Sequence, residues 1–264
     1  MKRRRWCSII NLVLAFFVAS LLVYPQFGFA KDMLLVYSGA GMRKPMDKIG
    51  IAFEKKYGVA VMYNYAGSNT LLSQIELTKK GDVYMPGATM YINKAKEKGF
   101  VDYEKPVAYH IPVIAVPKGN PAKIRTLKDL TRPSVKIVFG DPMAAAIGKL
   151  GNKVLKKNKL YDDVQKNVIA HTATVNELVV YLCMKQTDAS IIWKASLIGT
   201  EDKTDILEIP KEQNIVKVIP IGRLTFSKNK NRAKEFVDFV TSDKGKEIFE
   251  KCGFTVYPNQ KYEK

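Results

Sequence analysis

Four short turns carry the residues of this chain that are best suited to bind a small ligand. Each turn combines small or hydroxyl-bearing residues with the start of a predicted helix. The first turn of a helix exposes unpaired backbone N–H groups and the positive end of the helix dipole. Such a turn can therefore bind an anion without a basic side chain. The turns lie at residues 38–41, 66–69, 142–147 and 172–175.

Within these turns, we predict that side chains and backbone contribute different donors. Ser38 and Ser68 offer hydroxyl groups, and Gly41 lets a ligand approach the backbone closely. Val175 would contribute only its backbone N–H group, since its side chain suits a core. Together these donors are sufficient to bind a small oxyanion, because each hydrogen bond to a charged group contributes ~1.5–3 kcal/mol.

Three further residues are candidates with an alternative role. Trp193 ends a predicted strand that faces the proposed site, and its indole N–H is a single donor; the alternative is core packing. Arg43 either reaches the ligand or is a solvated residue at a helix start, and we favour the solvated position. Asn69 either contacts the ligand or caps its own helix.

The sequence offers no pattern for covalent catalysis or for a metal centre. Gly-x-Ser-x-Gly and His-Glu-x-x-His are absent, and His110 and His171 have no evident partners. No His/Cys cluster has metal-ligand spacing. Cys183 and Cys252 are predicted to be buried thiols rather than a disulfide. We therefore predict a protein that is not an enzyme and that holds no cofactor and no metal.

The elements that position these turns alternate between strand and helix patterns. Short apolar runs are followed by small-residue turns and then by amphipathic segments, the pattern of parallel sheets covered by helices. Predicted strands lie at 33–37, 59–65, 82–85, 111–116, 135–139, 167–170, 189–193 and 216–221, and predicted helices at 46–57, 70–80, 89–98, 144–156, 175–184, 231–241 and 244–252.

This order predicts an α/β fold of two doubly wound lobes that are joined by two hinge crossings. Lobe 1 comprises residues 31–113 and 219–264, and lobe 2 comprises residues 114–218. Ligands of such sheets bind beyond the carboxyl ends of the strands, so the cleft between the lobes is the predicted site.

The first thirty residues have the form of an export signal. Basic residues at 2–5 precede an apolar run at 9–24, and Gly28-Phe29-Ala30 offers the small residues that a signal peptidase reads. The run is shorter than the ~20 residues of a spanning helix, so we predict cleavage near Ala30 and a periplasmic or otherwise exported protein. A retained membrane anchor is the alternative.

The strongly basic composition is consistent with an anionic ligand. The formal net charge is +18 for the whole sequence and +14 without the four basic residues of the export signal, and such a field speeds the encounter with anions. The basic residues are interspersed with acidic ones and form no known nucleic-acid module. We therefore expect no nucleic-acid partner.

The turns and their spacing resemble those of the periplasmic molybdate-binding proteins of ABC importers, a branch of the type II solute-binding proteins. The similarity covers most of residues 32–264. It rests on Val36-Tyr37…Met46…Ile49, on Tyr65-Ala66-Gly67-Ser68-Asn69-Thr70-Leu71…Gln74-Ile75-Glu76, on Gly81-Asp82-Val83-Tyr84, on Gly140-Asp141-Pro142…Gly148, and on the segment from Val175 to Trp193.

The resemblance implies a set of ligand contacts. Family ligands are held by two serines, two backbone amides and a tyrosine. The second serine falls on Ser68 and the amides on Ile147 and Val175. The tyrosine position is Trp193 and the first serine position is Gly41, so this chain departs from the family at both. Ser38, the Gly41 backbone or Arg43 would substitute for the missing hydroxyl.

The sequence thus predicts a monomeric solute-binding protein that captures molybdate or tungstate and delivers it to an ABC transporter permease. The open alternatives are the same fold binding another anion, such as a small organic acid, and an exported hydrolase or transferase. A binding protein needs only different affinities in its open and closed states, whereas an enzyme needs a nucleophile or metal that the sequence does not display.

Overall fold

A computed structural model describes residues 32–262 of the chain. The predicted export signal lies outside these residues. The strands are β1 (Met33–Gly39), β2 (Ala60–Ala66), β3 (Val83–Met85), β4 (Val101–His110), β5 (Pro112–Pro117), β6 (Ile137–Gly140), β7 (Val168–Thr172), β8 (Ser190–Trp193), β9 (Thr204–Glu208), β10 (Lys217–Leu224) and β11 (Thr255–Val256). The helices are α1 (Arg43–Tyr57), α2 (Ser68–Thr78), α3 (Thr89–Glu97), α4 (Ala146–Lys157), α5 (Tyr161–Gln165), α6 (Val175–Cys183), α7 (Lys230–Thr241) and α8 (Asp243–Lys251).

The larger sheet has the strand order β11-β4-β10-β3-β1-β2. β1 runs parallel to β2 and β3, as the alternating pattern predicts. β10 runs antiparallel to β3 and β4, which the pattern did not predict. The reason is topological: β4 carries the chain out of this sheet and β10 brings it back, so the returning strand runs in the opposite direction.

Both faces of the larger sheet are covered by helices. Along β1, Leu34 and Val36 pack with Phe53 of α1 and Phe236 of α7. Tyr37 points to the other face, where it packs with Leu71 of α2. Alternate residues of a strand point to opposite faces, so one apolar strand supplies two cores.

A second set of strands forms around a separate core. β5 pairs antiparallel with β8 and β9, and β6 pairs parallel with β7. An isolated parallel β-bridge joins Ile137, the first residue of β6, to Ala189, which precedes β8. The core includes Val113 of β5, Phe139 of β6 and Leu178 of α6. The molecule thus has the two-lobed type II fold, and the chain leaves the larger sheet at the end of β4 and returns to it at the start of β10.

Several elements escaped the sequence analysis. β4 was not predicted, although β10 and β11 both pair with it. Its first five residues are mixed in polarity and Pro106 follows them, so this part lacks the apolar run that marks a strand. β9, β11 and α5 are short and were also missed. Cys183 and Cys252 are both free thiols, as predicted; Cys252 is buried, whereas Cys183 is only partly buried.

Candidate functional site

A small cavity lies where the starts of four helical segments meet. Its volume is about 40 Å³. A cavity needs about 10–15 Å³ on this measure to hold one water molecule, so this cavity exceeds the space of a single water molecule. The lining residues are Gly39, Ala40, Gly41, Met42, Ala66, Gly67, Ser68, Gly87, His110, Ala145, Ala146, Ile147, Ala173, Thr174, Val175 and Trp193.

Five of the predicted site residues meet in this cavity. Two of these residues follow strands of the larger sheet, and the other three belong to the second set of strands and its helices. The five residues are Gly41, Ser68, Ile147, Val175 and Trp193. They come from five separate segments of the chain.

Three predicted residues lie elsewhere. Ser38 is completely buried in β1 and does not line the cavity; its Oγ has no hydrogen-bond partner within residues 32–262. The Arg43 guanidinium lies 4.1 Å from the ring centroid of Tyr65, and the residue is exposed. Asn69 is also exposed and does not line the cavity. Neither Arg43 nor Asn69 lines this cavity, so their contact with a ligand stays a prediction.

The helix starts at the cavity leave backbone donors available. No side chain caps α2, which begins at Ser68, or α4, which begins at Ala146. At α6, the Thr174 hydroxyl accepts only from the N–H of Glu177, two residues beyond Val175. The first N–H groups of a helix have no carbonyl partner inside it. The amides of Ile147 and Val175 are therefore available to a ligand.

Ser68 has a hydrogen-bonding arrangement that favours donation. Its Oγ accepts a hydrogen bond of 2.9 Å from the backbone N–H of Gly87. Its own carbonyl accepts from the Tyr84 hydroxyl at 2.8 Å. Because Oγ is already an acceptor and has a single hydrogen, the hydroxyl hydrogen can be donated to an anion in the cavity.

His110 is a site residue that the sequence analysis missed. Its ring stacks on Trp193, with 4.2 Å between the ring centroids and 10° between the planes. Nδ1 lies 2.6 Å from the carbonyl oxygen of Gly87, which can only accept, so Nδ1 carries the hydrogen. Burial lowers the pKa of His110 to about 4, and the bond to Gly87 opposes this shift. The ring is therefore neutral at pH 7, and Nε2 has no partner in the described part of the chain.

The cavity wall is electrically neutral. Its lining contains no Asp, Glu, Lys or Arg. Among residues 32–262, no group of three or more His, Cys, Asp and Glu residues could hold a metal ion. Nor is any helix in that range both long and apolar enough to cross a membrane. An anion in the cavity would therefore be bound by N–H and O–H dipoles rather than by charged side chains.

Known proteins with similar sequences are solute-binding proteins. Residues 34–255 match the model of the bacterial extracellular solute-binding protein family. A Haemophilus influenzae protein whose name describes it as a binding protein is 30% identical over 221 residues, which cover 84% of this chain and 90% of that protein. The molybdate-binding protein ModA of Mycobacterium bovis is 24% identical over 223 residues, 84% of each chain.

Solved structures show the same fold. A substrate-binding domain assigned to a molybdenum ABC transporter of Clostridium difficile has a TM-score of 0.68 at 23% identity, and the match covers 84% of this chain and 98% of that one. The sulfate-binding protein SubI of Mycobacterium tuberculosis has a TM-score of 0.77 at 18% identity and covers 86% and 88%. The relatives named here are binding proteins, so this chain is a binding protein and not an enzyme. It belongs to the family of bacterial extracellular solute-binding proteins.

Proposed function

We propose that this protein captures a free tetrahedral oxyanion, molybdate or tungstate, in the cavity between its lobes. The observation that carries the proposal is the convergence of Ser68 with the helix starts at Ile147 and Val175 on a cavity of about 40 Å³. A related protein is named for molybdate binding, which supports this choice. A protein with a similar fold is named for sulfate binding, so the fold alone does not select the anion.

In this proposal the two lobes close on the anion. Lobe 1 comprises residues 31–113 and 219–264, lobe 2 comprises residues 114–218, and the hinges lie where the chain crosses between them. Ligand contacts from both lobes stabilise the closed state over the open one, which is sufficient to shift the population. Only the closed form would then be recognised by the permease of an ABC transporter. We further propose that the protein acts as a monomer after export and cleavage near Ala30.

Neutral dipoles suit this function for a physical reason. A hydrogen bond to a charged group contributes ~1.5–3 kcal/mol net, so several such bonds reach the ~8–12 kcal/mol of micromolar to nanomolar binding. Reversible release to a permease is easier from dipoles than from buried counter-charges, because no unpaired buried cation remains when the anion leaves.

The test is isothermal titration calorimetry with molybdate and tungstate. Ser68→Ala removes one side-chain donor from the cavity, and we expect the binding free energy to weaken by ~1–3 kcal/mol. Ser73→Ala is the matched control, because Ser73 lies on the same helix but is exposed. Equal affinities for both variants and the unaltered protein would remove Ser68 from the site. Absence of heat with both oxyanions would reject the proposed ligand.

A further inference from the structure

A second and larger cavity adjoins the oxyanion cavity. Its volume is about 400 Å³. Ala146 and Trp193 line both cavities, so the two are neighbours. The second cavity lies between α3, α4 and β10, and the Thr89 hydroxyl bridges two of these elements by donating to the carbonyl of Val218 at 3.0 Å.

Three lysines line the second cavity, and no acidic residue does. Lys149 and Lys153 project from α4, and Lys217 begins β10. None of the three side chains forms an ion pair or a hydrogen bond with any residue between 32 and 262, whereas many other lysines of the chain are paired. Like charges without partners around one cavity create a positive potential that an anionic group would relieve.

The remaining wall is apolar. Leu150, Tyr91 and Trp193 are buried side chains that line this cavity. The volume of about 400 Å³ falls within the range of about 300–1,000 Å³ that is usual for small-molecule sites. It is about ten times the volume of the oxyanion cavity. The cavity thus offers apolar surface for a carbon skeleton and lysines for a terminal charge.

Helix α4 links the two cavities. Its first turn presents the N–H of Ile147 to the oxyanion cavity. Lys149 lies within one turn of this helix start, and Lys153 lies one further turn along, where each turn advances about 5.4 Å. A ligand whose tetrahedral group is bound at the helix start can therefore extend along α4 and place a second acidic group beside these lysines.

We infer that the lysine cavity is a second anion subsite, and that the protein also binds phosphate monoesters that carry a second acidic group. The inference rests on the proposed function, since the oxyanion cavity receives the phosphate of such a ligand. The carbon chain of the ester extends from the oxyanion cavity into the lysine cavity beside Ala146 and Trp193. The second acidic group is then bound by the three lysines.

A matched pair of ligands tests the inference by calorimetry on the purified protein. Phosphoglycolate and ethyl phosphate have the same phosphate and two-carbon chain, but only phosphoglycolate carries a carboxylate. We expect phosphoglycolate to bind about tenfold more tightly or better. Measurements at about 0.15 M salt, where the screening length is about 8 Å, limit the contribution of the distant positive charges.

Lysine variants test whether the preference for phosphoglycolate over ethyl phosphate arises in this cavity. Substituting Lys149, Lys153 and Lys217 together by Gln should reduce the preference for phosphoglycolate to within about twofold, with molybdate binding retained. Lys128→Gln is the control, because Lys128 is exposed and lines neither cavity; it should leave the preference intact. Equal affinities for the two esters, or a preference that survives the triple substitution, would overturn the inference. If molybdate binds and depends on Ser68 while neither ester binds, the inference fails and the proposed function stands. If no tetrahedral anion binds, both fail.

Discussion

At the scale of single residues, the cavity offers oriented N–H and O–H dipoles instead of charged side chains. The Ser68 hydroxyl is oriented by its bond from the Gly87 N–H, and the Gly87 carbonyl holds the ring of His110. One glycine thus orients two side chains of the site. Trp193 completes the set, because it stacks on His110 and its indole N–H makes no hydrogen bond with the described residues.

His110 gives the folded protein a specific dependence on pH. Its pKa is about 4 in the folded state and about 6.5 in an unfolded chain. Below pH 6.5 the unfolded state binds a proton that the folded state does not, so stability is lost as the pH falls towards 4. We expect His110 to account for a loss of up to about 3 kcal/mol in the free energy of unfolding across this window.

Urea unfolding at pH 7 and pH 4.5 measures this loss. His110→Gln should reduce the difference between the two pH values. His171→Gln is the control, because His171 is exposed, whereas His110 is buried. A His110→Gln protein with the same pH dependence as the unaltered chain would show that other groups cause the loss.

Gly41 provides a second prediction at this scale. A Cβ at this position would lie 3.6 Å from Val175 Cγ1 and 4.0 Å from Trp193 Cδ1, which are ordinary contacts. Gly41→Ser should therefore fold normally and add a hydroxyl donor to the cavity. We expect molybdate binding to strengthen by ~1–3 kcal/mol in calorimetry, with Gly41→Ala as the control for the added carbon. A weaker affinity of the Ser variant alone would mean that the glycine is needed for space around the ligand.

Which site residues the sequence could predict depends on where their signal lies. Ser68, Ile147 and Val175 stand at helix starts, and helix starts can be recognised from local sequence. His110 could not be assigned this way, because its partners Gly87 and Trp193 belong to other elements. Its one available signal was a polar residue beside the apolar strand at the crossing. Arg43 was correctly favoured as exposed, since its guanidinium packs on Tyr65 instead of the ligand cavity.

At the scale of elements, the close packing of β6 and α4 sets the position of the Ile147 amide. A Cβ at Gly148 would lie 2.0 Å from the carbonyl oxygen of Gly140, which is backbone and cannot rotate away. Glycine is required here because the start of α4 rests directly on the end of β6.

Gly148→Ala tests this dependence. The clash must displace α4 or β6, and overpacking of this kind costs about 1–3 kcal/mol. We expect a lower melting temperature together with weaker molybdate binding, because the Ile147 N–H moves with the helix. Gly41→Ala, which meets only ordinary contacts, should retain its melting temperature. An unchanged affinity in Gly148→Ala would show that the helix start does not hold the anion.

The elements themselves were predictable where they were long and periodic. α1, α6 and α7 have the predicted type, with bounds within a few residues. β4 was missed because its pairing with β10 and β11 is decided by residues far apart in sequence. The same cause explains the reversed direction of β10, since no local pattern states that a strand returns from the other lobe.

At the scale of the whole molecule, one feature attracts anions and another selects among them. The net positive charge, +18 for the whole sequence and +14 without the export signal, attracts anions of every kind, whereas the cavity wall carries no charged side chain. The long-range field therefore speeds association without choosing a ligand. The size of the cavity and the direction of its donors must make the choice.

A thermal-shift panel tests this separation. A ligand at 100 times its dissociation constant stabilises the folded state by ~2.7 kcal/mol, which corresponds to a rise of about 5–10 °C in melting temperature for a chain of this size. We expect this rise with molybdate and tungstate and a much smaller one with acetate, although all are attracted by the same field. Because the field is screened by salt and the cavity contacts are not, the rise should persist at about 0.5 M sodium chloride once ligand is saturating. A rise with every anion that disappears in salt would mean that charge alone binds them and that the cavity selects none.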